Sequence, residues 1–258
     1  MILISLAILP VAILLIYIYR KDVIAKEPIG QLVKAFLGGV LTTVLSLLIS
    51  MPMAYVAAKL QLPGALLPSL WEAFLEAAVP EEVFKFLMLL WLVWRSKHFD
   101  EYFDGIVYAV FISLGFACAE NILYVVEGGM GTGIMRAITA VPGHFLFAVI
   151  MGYYFSLAKF RPQQRSEYLR KSLLFAIFAH GVYDFILMFG VRLTNVEGNE
   201  WIALLLIPLI IAFIVFNIKL WKRGLKKIKA LRDMDIETQQ MAGAVVPETV
   251  GRDDVLGD

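Results

Sequence analysis

Long apolar segments alternate with short polar connectors along most of the 258-residue chain. A membrane-spanning helix needs about 20 mostly apolar residues, and the segments that meet this requirement lie near 2–20, 31–57, 66–94, 105–126, 137–158, 172–190 and 201–221. The connectors hold proline, glycine or clustered charge, which are typical of turns. The pattern predicts an all-α polytopic membrane protein with about seven transmembrane helices.

Lysine and arginine lie mostly in alternate connectors, as expected of a membrane protein whose cytoplasmic loops are basic. If the N-terminus lies outside, only three basic residues fall on the outer side, namely Lys59, Arg136 and Arg192. We therefore predict an outer N-terminus and a cytoplasmic C-terminus. Residues 1–232 are predicted to form one transmembrane helical domain. The polar and acidic residues 233–258 are predicted to form a disordered cytoplasmic tail.

The composition agrees with a membrane location and limits the possible partners. Hydrophobic residues make up 60% of the chain and charged residues 17%, against about 45–50% and about 25% in soluble domains. The net charge is only +1, and its distribution indicates a lipid bilayer as partner and no nucleic acid. Cys118 is the only cysteine, which excludes an internal disulfide and a cysteine-rich metal site.

Two adjacent glutamates, Glu81 and Glu82, interrupt the third apolar segment. A carboxylate at mid-membrane costs at least ~2.5 kcal/mol on insertion scales, so such residues usually face an internal polar site. Lys85 is one helical turn from Glu81 and is expected to pair with it. Glu82 is then freer to act as a base. Pro80 lacks an amide hydrogen and is expected to kink or open the preceding turn beside the carboxylates.

The fourth apolar segment carries Phe116, Glu120 and Asn121, with the phenylalanine and the glutamate one turn apart. Glu120 lies about 22 Å from the start of its helix at 1.5 Å per residue, which places it in the outer half of the membrane.

Histidines occupy the next two segments. His144 follows a proline and a glycine near the start of the fifth, and His180 precedes Asp184 by one turn in the sixth. Asp184 can therefore fix the tautomer and orientation of His180. All these residues fall between the midplane and the outer third, so the third to sixth helices, about 66–190, are predicted to surround one site.

Such a site supports more than one chemistry. Carboxylates and imidazoles can activate water by general-base catalysis and stabilise an oxyanion. They can also hold zinc, and the candidate ligands are His144, His180 and Glu120. Rows of intramembrane carboxylates and histidines also form proton relays, so a proton-coupled transporter or channel is the alternative from another functional class.

Several short motifs in fixed order resemble the bacterial PrsW family of intramembrane proteases. They are PEEVFK at 80–85, HFDEYFDGIVY at 98–108, LGFACAEN at 114–121, His144, and HGVYDF at 180–185. The match extends from the first helix to about residue 190. The ordered combination is specific, whereas each motif alone is weak. The chain is also distantly similar to type II CAAX prenyl endopeptidases.

The resemblance implies a peptidase of the bacterial cytoplasmic membrane that makes the first, site-1 cut in a membrane-anchored anti-sigma factor. By motif, Glu81, Glu82 and His180 match catalytic residues of the family. Further members of the catalytic set at matching positions are Glu120, His144 and Asp184, and the supporting residues are Lys85, Phe116 and Asn121.

Whether the catalyst is a metal or a glutamate-activated water stays open, because these side chains serve both chemistries. We favour glutamate-activated water without a structural zinc. A CAAX-type prenyl-protein endopeptidase is a further alternative and requires a site open to the cytoplasm. The substrate, the scissile bond and the oligomeric state do not follow from the sequence.

Overall fold

The computed structural model describes residues 2–194 and 202–243, and every regular element in these ranges is a helix. The elements are α1 (Ile2–Lys21), α2 (Ile29–Leu60), α3 (Leu66–Leu70), a π-helix (Trp71–Ala78), α4 (Val79–Val93), α5 (Asp104–Ile138), α6 (Ala140–Phe160), a 3-10 turn (Pro162–Gln164), α7 (Arg165–Thr194) and α8 (Ile202–Met241). The prediction of an all-α polytopic membrane protein is confirmed.

Five helical runs in the described ranges are long and apolar enough to cross a membrane. One of them, Asp104–Phe160, contains both α5 and α6. The predicted third span is absent from the five because it is divided among α3, the π-helix and α4. The count of seven spans and the orientation of the termini stay predictions.

The helix before the paired glutamates is open, as the position of Pro80 predicts. Trp71–Ala78 is a π-helix, and the amide of Val79 donates to the carbonyl of Phe74, five residues back. Pro80 has no amide hydrogen to donate to the carbonyl one turn earlier. The π-helix shifts the backbone hydrogen bonds by one residue before Pro80, so fewer backbone carbonyls lack a donor. The shift sets which face of α4 carries Glu81 and Glu82.

Gly129 divides α5 into two arms that fold back on each other. Its φ of 71° and ψ of −159° are non-helical, and this left-handed region costs glycine little. The arm after Gly129 returns beside the arm before it, because a Cβ placed on Gly133 would lie 3.2 Å from Val125 Cγ2. The sequence predicted a turn at 127–131 followed by a helix from 137. Residues 130–138 are instead a helical arm that carries Arg136 back along the bundle.

The first part of α5, residues 104–118, and α6 form the centre of the bundle, and most of the residues in these two stretches are buried. Helix α2 packs against α5 at glycines that permit close contact between backbones. A Cβ on Gly115 would lie 2.0 Å from the carbonyl oxygen of Phe36, and one on Gly39 would lie 1.9 Å from that of Ile112. Small residues at such contacts are typical of membrane helix packing.

Helix α8 continues to Met241, so the prediction of a disordered tail is wrong for residues 233–241. The carboxylate of Asp235 accepts hydrogen bonds from the amides of Tyr102 (2.6 Å) and Phe103 (2.8 Å) at the start of α5. Leu231 and Ile228 are also buried. These tertiary contacts hold the polar end of α8 in a helix. The remainder of the predicted tail, 244–258, lies outside the described residues.

Candidate active site

Four ionisable side chains from three helices converge inside the bundle. Glu81 and Glu82 come from α4, His144 from α6 and His180 from α7, and all four are buried. One potential ligand atom from each lies within 4.8 Å of those of the others. The structure thus brings together the residues that the sequence placed on separate helices at similar depth.

Lys85 lies within this cluster and contacts three of its members. Its Nζ donates to Glu82 Oε1 at 2.8 Å and to Glu81 Oε2 at 3.1 Å, and lies 3.3 Å from His144 Nδ1. It also lies 3.9 Å from the ring centre of Phe116, one of the residues predicted to support the site. A buried ammonium surrounded by carboxylates compensates part of their desolvation.

The structure shows the predicted contact of Lys85 with Glu81 and adds a contact with Glu82. Lys85 pairs with both glutamates, at 3.1 Å from Glu81 and 2.8 Å from Glu82, because residues three and four positions apart on a helix are both neighbours. The side chain of Glu82 is 0% exposed, and that of Glu81 is 12% exposed. Glu81 is therefore the glutamate that an outside molecule can reach.

His180 lies between two carboxylates from different helices. Its Nδ1 is 2.9 Å from Glu82 Oε1, and its Nε2 is 3.1 Å from Asp184 Oδ2. Each of these contacts needs a hydrogen, so His180 is either an imidazolium or has a protonated carboxyl as neighbour. The ring also stacks on Phe147 at 4.8 Å. The contact of Asp184 with His180 is the one that the sequence predicts.

The contacts of His144 define its tautomer. Lys85 is only a donor, so His144 Nδ1, at 3.3 Å from it, must accept. The hydrogen is then on Nε2, which lies 3.0 Å from Glu120 Oε2 and donates to it. Ser113 Oγ donates a hydrogen bond of 3.0 Å to the backbone carbonyl of His144. This bond ties α6 to α5 at the position of the histidine.

Glu120 belongs to the site but lies outside the group of four potential ligands. Its Oε2 accepts from Arg136 Nη2 at 2.6 Å as well as from His144. Asn121, the neighbouring predicted supporting residue, accepts from Arg136 Nε at 2.7 Å and donates to the carbonyl of Ala7 in α1. As a candidate metal ligand, Glu120 is therefore less well placed than Glu81 or Glu82.

Arg136 is the site residue that sequence reasoning missed. The charge pattern placed it in an outer connector, and its role depends on the return of the chain at Gly129. The available signal was the pair of glycines at 128 and 129, which permits a tight reversal between Glu120 and Arg136.

A cavity of about 380 Å³ lies against the cluster, within the range of about 300–1,000 Å³ that is typical of ligand sites. Its polar wall is formed by Glu81, Glu120, Arg136, His144, His180 and Asp184. Apolar side chains of α7 and α8, including Leu187 and Phe213, form much of the rest. Glu82 lies behind this wall. The arrangement combines a reachable carboxylate, imidazole donors and an apolar surface, which suits general acid–base chemistry on a peptide segment.

The chain is similar to known PrsW proteases. A family model described as PrsW family intramembrane metalloprotease matches residues 27–216. Protease PrsW of Geobacillus kaustophilus (strain HTA426) is 38% identical over 227 residues, which cover 88% of this chain and 91% of the relative. Protease PrsW of Bacillus subtilis (strain 168) is 37% identical over 234 residues, covering 90% of this chain and 97% of the relative. No solved structure gives a significant match.

Proposed function

This chain belongs to the PrsW family of intramembrane metalloproteases and is a membrane peptidase, and we propose that it makes the first cut in a membrane-anchored anti-sigma factor or a similar single-span protein. We place it in the cytoplasmic membrane of a bacterium. The observation that carries the proposal is the buried group of Glu81, Glu82, His144 and His180 beside a cavity with an apolar wall. Family membership favours peptide hydrolysis over the transporter alternative.

In the proposed reaction, Glu81 is the general base that takes a proton from the attacking water and then gives it to the amine nitrogen that leaves as the peptide C–N bond breaks. It is the more exposed of the two glutamates and lines the cavity. Glu82 is fully buried and holds Nδ1 of His180, leaving the Nε2 edge of the ring near Asp184 and Glu81. In this step the hydrogen on Nε2, directed at Asp184 in the resting site, is shared with the oxyanion of the tetrahedral intermediate and stabilises it. Asp184 keeps that edge of the imidazole oriented.

The donor set also fits a divalent metal, which the family description as a metalloprotease implies. Two carboxylates and two imidazoles, supplied by Glu81, Glu82, His144 and His180, are typical zinc ligands. Glu82 Oε2 is buried without a hydrogen-bond partner among the described residues, so its lone pairs are not used by a protein donor there. When bound, a divalent metal supplies Lewis acidity and lowers the pKa of water at the site. Lys85 contacts three of the same donors, so its ammonium and a metal ion compete for them.

Cleavage by purified protein in liposomes tests the proposal. The substrate is a single-span anti-sigma factor. An unrelated single-span protein and a prenylated CAAX peptide are assayed in parallel as alternative substrates. Glu81→Gln keeps the size of the side chain and removes the base, so we expect the rate to fall by about 10²–10⁴-fold. Glu76→Gln is the matched control, because Glu76 lies in the adjacent π-helix and does not line the site cavity.

Preferential cleavage of the anti-sigma factor near the outer membrane face, lost in Glu81→Gln and retained in Glu76→Gln, supports the proposal. Equal rates for both variants contradict the assignment of the site. Preferential cleavage of the prenylated peptide contradicts the substrate. Repeating the wild-type assay with a chelator, and then with added zinc, tells a metal-dependent reaction from a metal-free one.

A further inference from the structure

Arg136 reaches the active-site wall only because α5 folds back at Gly129. It lies sixteen residues after Glu120 in the sequence, yet its Nη2 is 2.6 Å from Glu120 Oε2. The side chains of both residues are only 16% exposed, so water screens the pair little. The hairpin thus brings a cation to a carboxylate that would otherwise have none as close.

Glu120 transmits this contact to the catalytic cluster. The oxygen that accepts from Arg136 also accepts from His144 Nε2, at 3.0 Å. The opposite nitrogen of His144 lies 3.3 Å from Lys85, inside the cluster. A single carboxylate oxygen therefore links the hairpin arm to the histidine whose Nδ1 lone pair is directed at the site. Outer contacts of this kind set the orientation and tautomer of a catalytic or metal-binding imidazole.

We infer that Arg136 is a positioning residue, which holds the Glu120 carboxylate so that His144 keeps its hydrogen on Nε2 and its Nδ1 lone pair towards the cluster. The inference rests on the proposed function for its catalytic consequence. It concerns Arg136, Glu120 and His144, and it requires no direct contact between Arg136 and the substrate.

The geometry calls for arginine in particular. Nη2 binds Glu120 while Nε binds Asn121 Oδ1 at 2.7 Å, and Asn121 is itself tied to the carbonyl of Ala7 in α1. The guanidinium also lies over the ring of Tyr124, at 4.1 Å. A lysine offers one point charge and cannot make both side-chain contacts in this fixed fork. Lysine at 136 should therefore restore only part of the function.

The first test reads His144 directly. The chain has three histidines, His98, His144 and His180, so protein labelled with ¹⁵N-histidine gives three sets of imidazole signals, which His98→Gln and His144→Gln assign. In Arg136→Gln we expect the two nitrogen signals of His144 to move towards each other as the Nδ1–H and Nε2–H tautomers exchange. The signals of His98 and His180 should stay in place.

Arg192→Gln is the matched control for this measurement. Arg192 also makes a 2.6 Å contact with a glutamate, Glu72, but that pair lies away from the site cavity. We expect the control to leave all three histidines unchanged. Unaltered His144 signals in Arg136→Gln overturn the inference. Equal displacement of all three histidines also overturns it, because it marks Arg136 as a general structural contact.

Kinetics supply the second test. Arg136→Gln should lower kcat by about 10–100-fold, the usual effect of losing an outer-layer partner of an active-site histidine, while KM changes by less than about twofold. Arg136→Lys should recover part of the loss. Adding Arg136→Gln to Glu120→Gln should cost nothing further, because the arginine acts through Glu120.

The two tests separate this inference from the proposed function. Normal kcat in Arg136→Gln, alongside inactive Glu81→Gln, overturns the role of Arg136 and leaves the peptidase assignment intact. Absence of cleavage by wild type contradicts the proposed substrate, while the histidine spectra still decide whether Arg136 positions His144.

Discussion

His180 Nδ1 lies 2.9 Å from Glu82 Oε1, although the two residues are 98 positions apart in the chain. The contact joins α7 to α4 at the centre of the bundle and leaves Nε2 near Asp184 and Glu81. The paired glutamates therefore have different contacts. Glu82 holds the histidine from within, and Glu81 faces the cavity.

Lys85 should be a large contributor to stability. In Lys85→Met the buried carboxylates lose their closest ammonium donor, and breaking a buried ion pair in this way costs about 3–5 kcal/mol. We expect a clear fall in Tm, measured by tryptophan fluorescence of the detergent-solubilised protein. The control is Lys171→Met, which breaks an exposed pair with Glu167 and should change stability by less than about 1 kcal/mol.

Neutralising a partner should reverse part of this loss. Lys85→Met combined with Glu82→Gln removes one of the uncompensated charges, so the double variant should be more stable than Lys85→Met alone. A double variant that is less stable than either single variant contradicts the ion-pair account.

The contact between α2 and α5 should not tolerate a methyl group. Gly115→Ala places a Cβ 2.0 Å from the carbonyl oxygen of Phe36, so the helices must separate, and we expect a loss of about 1–3 kcal/mol, as for other overpacked sites. Gly30→Ala is the matched control in α2, because no atom lies within 4 Å of its added Cβ. Thermal unfolding of the two variants checks this. Equal Tm values contradict the close contact.

Stability at the end of the bundle that carries the connectors 22–28 and 94–103 should fall as pH rises. Burial, together with the nearby charges of Asp235, Asp22 and Asp100, raises the pKa of Glu101 from the usual 4.5 to about 8, and a hydrogen bond from the amide of Ala25 opposes the rise. Burial likewise raises the pKa of Glu27 to about 7 and that of Asp22 to about 6.

The folded protein therefore binds more protons than the unfolded chain between pH 4.5 and 8, and the stability that protonated Glu101 contributes is lost as pH rises through its folded pKa of about 8. Glu101→Gln mimics the protonated form. We expect its Tm to equal that of wild type near pH 5 and to exceed it by a few degrees above pH 8. The measurement is the Tm of both proteins across this pH range. A Tm difference between them that is the same at every pH contradicts a raised pKa of Glu101.

The sequence predicts those features of the fold that depend on local pattern. Apolar segments and basic connectors predict the helices, and one-turn spacing predicts the contact of His180 with Asp184. Pro80 predicts an opened turn, and the π-helix before it confirms this. The sequence places Glu81 of α4 and His144 of α6 at similar depth in the membrane, and the structure brings them into one cluster.

The features that the sequence did not predict depend on contacts between distant parts of the chain. The reversal at Gly129 places Arg136 beside Glu120, and no periodic pattern marks that pairing. The carboxylate of Asp235 accepts hydrogen bonds from amides more than 130 residues earlier in the chain. Helix α8 therefore extends beyond residue 232, where the polar composition predicted the end of the helical domain. Lys85 contacts both glutamates, and spacing alone did not predict that Glu82 would share the ammonium with Glu81.

The central claim is that the buried glutamate–histidine group hydrolyses peptides. The most direct measurement is the initial rate of cleavage of a single-span substrate by His180→Gln in liposomes, beside His98→Gln, which alters a histidine of the 94–103 connector. Our account predicts that His180→Gln loses about 10²–10³-fold in kcat, as expected when an oxyanion donor is removed, and that His98→Gln matches wild type. A wild-type rate in His180→Gln would contradict the account.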